Sequence, residues 1–146
     1  MDKYKHKLKL METQVKRAGI DNIRLLCNDS RQPIAELRGR MNRVLADVPC
    51  SGLGVIRRKP EIKYKGSQDL SELIDTQQQI LRAAAEYVSD GGILVYSTCT
   101  INPYENEKQI EKFLRGNGNF KALEQKQLLP DGGTDGFFIC RMRKEQ

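Results

Sequence analysis

Val44-Leu45-Ala46-Asp47-Val48-Pro49-Cys50-Ser51-Gly52-Leu53-Gly54 and Ile93-Leu94-Val95-Tyr96-Ser97-Thr98-Cys99-Thr100 are two short apolar runs, each ending in a cysteine. Runs of this length, bounded by Gly, Pro and Ser, read as buried strands. Between them, residues 68–88 place Leu70, Leu73, Ile74, Leu81, Ala84 and Val88 at helical spacing. Strand, long helix, strand is a βαβ unit, whose two strands run parallel. As neighbours they would lie about 4.8 Å apart. Ligands in open α/β sheets collect outside the carboxyl ends of the strands. Cys50 and Cys99 are therefore expected to open into one small pocket.

Outward from this unit the alternation continues. Residues 3–18 read as a helix with Leu8, Met11 and Val15 on one face and Gly19 as its stop. Ile23 to Cys27 reads as a strand followed by the turn Asn28-Asp29-Ser30, and Pro33 to Leu37 as a short helix. Residues 49–66 form a long basic loop, and Gly91-Gly92 ends the long helix. Asn102-Pro103-Tyr104-Glu105 has the form of a helix start, with a capping Asn, Pro at the first turn and Glu three residues on. Residues 119–128 and 136–142 read as a closing strand pair around Asp131-Gly132-Gly133. The fold class is α/β with a mainly parallel sheet.

Composition narrows the chemistry. A chain of 146 residues makes one domain or part of a larger one. It has no apolar run of membrane-spanning length and no signal peptide, so a cytoplasmic protein without membrane contact is expected. Cys27, Cys50, Cys99 and Cys140 are scattered, with no C-x-x-C pair and one histidine, His6, so no metal site is expected. Residues 1–65 hold 16 Lys/Arg against 7 Asp/Glu, whereas residues 66–146 hold 9 against 12. The basic excess covers the loop after Cys50, the footprint expected of a polyanion such as RNA. The plainer alternative is a solvated basic face.

Nucleotide-binding sheets of this type begin with strand, Gly-rich turn and helix. This chain opens at Met1-Asp2, directly before a helix. It is expected to be truncated at its start and to bind a nucleoside cofactor weakly.

Asp47-Val48-Pro49-Cys50-Ser51-Gly52-Leu53-Gly54 resembles the D-A-P-C-S-G-x-G signature of the RNA 5-methylcytosine methyltransferases. Ser97-Thr98-Cys99-Thr100, with Pro103, Glu105, Asn106 and Glu107, resembles their S-T-C-[ST]-x-x-P-x-E-N-E signature. Residues 54–64 are similar to the bacterial RsmB/Sun (Fmu) branch, which modifies small-subunit ribosomal RNA, and Gly136 to Ile139 match its closing strand. The resemblance runs through essentially the whole chain. It implies the Rossmann-like sheet of class I methyltransferases, mostly parallel with a C-terminal antiparallel pair, here lacking the first strand and Gly-rich loop. Residues 1–146 would be the C-terminal part of the catalytic domain.

The resemblance also implies roles. Carbon 5 of cytosine is a poor nucleophile. A thiolate added at carbon 6 pushes electron density onto carbon 5, which then takes a methyl group from S-adenosylmethionine. Family likeness makes Cys99 the attacking thiolate and Cys50 the helper in product release. The competing assignment puts Cys50 first, as in DNA cytosine methyltransferases with a P-C motif. A thiolate needs nearby cations or a helix N-terminus, and the helix opening at Asn102 is the candidate. Asp2, Asp29 and Asp47 match the cofactor-binding acids at the ribose, the adenine edge and the methionine end. Arg57, Arg58, Lys59, Lys63 and Lys65 become phosphate contacts that position RNA without reading it. A buried cytosine would have to be flipped out to reach Cys99.

Two readings of other classes stand beside this one. A non-catalytic RNA-binding remnant would keep the basic loop and lose the chemistry. A thiol–disulfide protein would use Cys50 and Cys99 as a redox pair but leaves the basic loop unexplained. Taken singly, a free cysteine is most often an inert buried hydrophobe, and that reading is kept for Cys27 and Cys140. The sequence leaves the oligomeric state open.

Overall fold

The structure, a computed structural model, describes residues 1–64, 69–131 and 133–146. Helix α1 (Lys5–Arg17) is followed by strand β1 (Met41–Asp47), helix α2 (Asp69–Tyr87) and strand β2 (Val88–Thr98). Helix α3 (Glu107–Gly116) and strands β3 (Phe120–Leu128) and β4 (Phe137–Lys144) complete the chain. The sheet order is β1-β2-β4-β3. β1 and β2 pair in parallel, Arg43 opposite Ile93 through Asp47 opposite Ser97, as a βαβ unit requires. β4 lies antiparallel to both β2 and β3.

The core forms where α2 covers the sheet. Leu81, Ala84, Ala85 and Val88 meet Leu94 and Tyr96 of β2 and Phe138, Cys140 and Met142 of β4. The alternate residues Phe138, Cys140 and Met142 are fully buried because a strand directs every second side chain to one face. Ile110 and Phe113 of α3 close the far end, Phe113 packing edge-on against Phe120 with ring centroids 5.3 Å apart. Each such Leu or Phe is worth roughly 1.5–3 kcal/mol of burial. The helix passes straight into β2, and the ladder skips from Val88 to Ile93. Gly91, at φ 74°, turns the chain within that gap.

The strand expected over residues 23–27 does not form. A strand exists only with a ladder partner, and this segment has a single isolated parallel bridge, Asp2 to Cys27. Its backbone bonds to Asp2 are the Asp2 N–H to the Leu26 carbonyl and the Asn28 N–H to the Asp2 carbonyl, both 3.2 Å. Ile23 and Leu25 instead face Leu8 and Val15 of α1 across a cavity of about 730 Å³. No residue of α1 is buried, and Cys27 is exposed rather than enclosed in a sheet. The parallel part of the sheet is correspondingly smaller than the alternation of elements suggests.

The expected helix start at Asn102 is also displaced, since α3 begins at Glu107. Asn102 does receive the Tyr104 N–H at 3.1 Å. The side chains of Glu105 and Asn106 turn inward to buried polar partners, and Asn106 leaves the helical region at φ −114°, ψ −101°. Among the described residues no helix is long and apolar enough to cross a membrane.

Candidate active site

The loop after β1 is built to approach the loop after β2. Val48 extends the ladder by donating to the Ser97 carbonyl at 3.2 Å, and Pro49, which has no N–H, ends it. Gly52 then turns the chain at φ 76°, a conformation that favours glycine. Gly54 donates its N–H to the Cys99 carbonyl at 3.0 Å and accepts from the Gly136 N–H at 2.9 Å. A side chain at Gly54 has no space against these backbones.

This stitching brings the sulfurs of Cys50 and Cys99 to 3.2 Å, within thiol hydrogen-bond distance. Both residues are partly buried. Burial, then the hydrogen bond and charge of Cys99, push the Cys50 thiol up to about 12. Cys50 therefore keeps its proton at neutral pH, and in its contact with Cys99 either sulfur can be the donor. Cys140 is fully buried in β4 and pushed up to about 11 by that burial.

Behind the sulfurs lies a buried polar cluster that sequence reading did not assign. Glu105 is fully buried. Its Oε1 accepts the Ser51 N–H at 2.8 Å and the Gln77 side-chain amide at 2.9 Å. Its Oε2 accepts the Ser51 hydroxyl at 2.6 Å, the Asn102 amide at 3.1 Å and the Thr100 hydroxyl at 3.3 Å. Ser51 and Thr100, the residues following the two cysteines, also pair with each other at 2.9 Å. The Tyr96 hydroxyl donates to the Glu105 carbonyl at 2.7 Å. Glu105 stands in a signature motif and at a capping position, neither of which points to this cluster, while Gln77 sits in α2 with nothing in its spacing to mark it.

The three expected acids converge on one cleft of about 450 Å³, lined among others by Asp2, Asp29, Asp47, Pro49, Thr76 and Ile80. Asp47 accepts the Ser97 hydroxyl at 3.0 Å, and Asp2 accepts the Tyr4 N–H at 2.8 Å. The Asp29 carboxylate is gripped by Arg31, whose Nη2 lies 2.6 Å from Oδ2. Hydrogen bonds from the Arg31 side chain and backbone hold it down at about 2. The cleft reaches Pro49, the neighbour of Cys50.

The basic residues separate into groups. Arg58 pairs with Asp135 at 2.9 Å and Arg57 approaches the same carboxylate at 4.0 Å. Lys59 and Lys63 are exposed, and Lys65 lies outside the described residues. With α3 starting at Glu107, the helix start expected at Asn102, three residues past Cys99, stands eight residues from it in sequence.

Solved structures share this fold. The crystal structure of PH0851 matches with a TM-score of 0.93 at 30% identity, covering 98% of this chain and 36% of that chain. The structure of NSun6 from Pyrococcus horikoshii with SFG matches at 0.80 and 29% identity, covering 99% of this chain and 40% of that one. The α/β fold, with its four-stranded mixed sheet, is the Rossmann-like fold of class I methyltransferases. Residues 1–143 match the family described as 16S rRNA methyltransferase RsmB/F, and the chain belongs to that family. It is 41% identical over 165 aligned positions to the probable ribosomal RNA small subunit methyltransferase B of Bacillus subtilis. That alignment takes in 99% of this chain and 37% of the relative, so the chain spans a little over a third of its length.

Proposed function

We propose that this chain is the C-terminal part of an S-adenosylmethionine-dependent catalytic domain, cytoplasmic, that methylates carbon 5 of a cytosine in 16S ribosomal RNA. The observation that carries the reading is the pair of sulfurs 3.2 Å apart at the ends of adjacent parallel strands. Family membership supports the substrate class.

Cys99, as the thiolate with its proton given up to solvent, attacks carbon 6 of the flipped base; the C–S bond forms as the C5=C6 π pair shifts onto carbon 5 and makes it electron-rich. The bound cofactor supplies the methyl group, carried on a sulfonium. A solvent water then takes the proton from carbon 5, the C–H electron pair re-forms the C5=C6 double bond, the C–S bond breaks, and its electron pair returns to the Cys99 sulfur. Cys50, held protonated, donates its S–H to that sulfur as it leaves with negative charge. A hydrogen bond to a charged acceptor is roughly twice as strong as a neutral one, so Cys50 favours release without changing place.

The cleft suits the cofactor in its donor set. Three carboxylates face one space, able to accept from ribose hydroxyls, an amino group and the adenine edge, with Ile80 giving an apolar wall. Asp2 and Asp29 would hold the nucleoside, and Asp47 the methionine end nearest Cys50. Arg57, Arg58, Lys59, Lys63 and Lys65 would take RNA phosphates.

The test is nucleoside mass spectrometry of 16S rRNA incubated with the protein and isotopically labelled S-adenosylmethionine. Label in 5-methylcytosine is the expected result. Label at another base position would replace the reading, and RNA binding without any label would favour the non-catalytic remnant.

A further inference from the structure

We propose that Glu105 is a positioning residue that sets the spacing of Cys50 and Cys99. Its meaning for methyl transfer rests on the function proposed above; the spacing itself does not.

The geometry carries the assignment. Five donors converge on the one carboxylate, and they come from separate segments of the chain. Ser51 immediately follows Cys50, Thr100 immediately follows Cys99, and Gln77 belongs to α2. Gln77 also donates to the Pro49 carbonyl at 2.9 Å, so it steadies the residue before Cys50 as well. Gln109 of α3 is in turn anchored to Gln77 at 3.2 Å. Glu105 thus grips the chain one residue past each sulfur and ties both grips to the helices behind.

The acceptor count explains why the residue is acidic. Both Ser51 groups, Gln77, Asn102 and Thr100 offer hydrogens, and a carboxylate has about four lone-pair sites spread over two oxygens. A glutamine of the same shape that turns its NH2 toward the Ser51 N–H and the Gln77 amide sets donor against donor around a fully buried side chain. Turned the other way, its NH2 can be accepted by the Ser51 and Thr100 hydroxyls only if they rotate, and it then faces the Asn102 amide, so the grip on the loop after β2 weakens. No ion pair of Glu105 appears among the described residues, so its grip consists of these hydrogen bonds, acting beside the backbone contact of Gly54 with Cys99.

The experiment measures spacing directly. In a Cys27→Ser background, the full chain is treated with dibromobimane, which fluoresces when it bridges two nearby thiols. Peptide mapping identifies the Cys50–Cys99 link, and iodoacetamide separately reports accessibility of single thiols. Glu105→Gln is expected to bridge about tenfold more slowly, since one or more buried donors lose their partner, with single alkylation changed by less than about twofold. A merely structural role would move both rates together through loss of fold, which circular dichroism follows. Bridging at the parent rate in a folded Glu105→Gln protein overturns the proposal. If that variant does not fold, Ser51→Ala decides: slower bridging supports the clamp, and an unchanged rate removes it. The assay contains neither RNA nor cofactor, so absence of methyl transfer leaves its outcome intact.

Discussion

Gly54 donates its backbone N–H to the carbonyl oxygen of Cys99 at 3.0 Å, joining the loop after β1 to the loop after β2. The contact holds because Gly54 has no side chain. A Cβ there would meet the Gly136 carbonyl oxygen, and the Cys99 oxygen at 2.8 Å. Gly54→Ala is therefore expected to destabilise the fold by on the order of 3 kcal/mol, at the upper end of overpacking costs. Urea denaturation of the two proteins checks it, and an unchanged midpoint would mean the loops separate without cost.

The alkaline limb of stability follows from buried thiols. Burial and Cys99 raise Cys50, and burial raises Cys140. The ordinary thiol value is 9.0, so between there and about 11–12 the unfolded chain loses protons that the folded chain keeps. Stability present below pH 9 is then lost as pH rises through the folded values. Denaturant midpoints at pH 8 and pH 10.5 should fall, and Cys50→Ala should flatten the decline. An identical slope in the variant would show that Cys50 does not contribute.

Much of this was legible beforehand, for a physical reason. Cys50 and Cys99 each follow an apolar run, and the 19-residue helix between them leaves parallel adjacency as the natural pairing. The three acids reached one cleft because strand ends and their turns lie at one edge of the sheet. Residues 23–27 misled because strand propensity is a surface preference that needs a partner, and Cys27 found only Asp2. Asn102 misled because Glu105, read as a capping residue, satisfies Ser51 and Gln77 instead. Such long-range polar contacts leave no periodicity in a sequence.

Cofactor affinity should be weak in this chain. Glycine, which allows a backbone to approach a ligand closely, is absent from the described lining of the cleft, and Arg31 occupies the Asp29 carboxylate. Isothermal titration with S-adenosylmethionine is expected to give a dissociation constant well above the micromolar range. A micromolar value would show the three-acid cleft to be sufficient by itself.

RNA contacts should divide according to their present partners. Lys59 and Lys63 are exposed, whereas Arg58 is paired with Asp135 at 2.9 Å. Replacing both lysines by alanine should make the salt dependence of RNA binding shallower by about 1.4 in log–log slope, the value for two single-strand phosphates. Arg58→Ala should change it less. Filter binding across a salt series measures both, and an unaltered slope in the double variant would place the RNA elsewhere.

The central claim is that Cys99 attacks the base while Cys50, 3.2 Å away, assists its departure. It is tested most directly with RNA carrying 5-fluorocytosine, which blocks loss of the group at carbon 5 and traps the adduct. At saturating cofactor, mass spectrometry should find the nucleotide attached to Cys99 in the parent chain and in Cys50→Ser, and no adduct in Cys99→Ser. Attachment through Cys50, or no adduct while RNA and cofactor are both bound, would contradict the account.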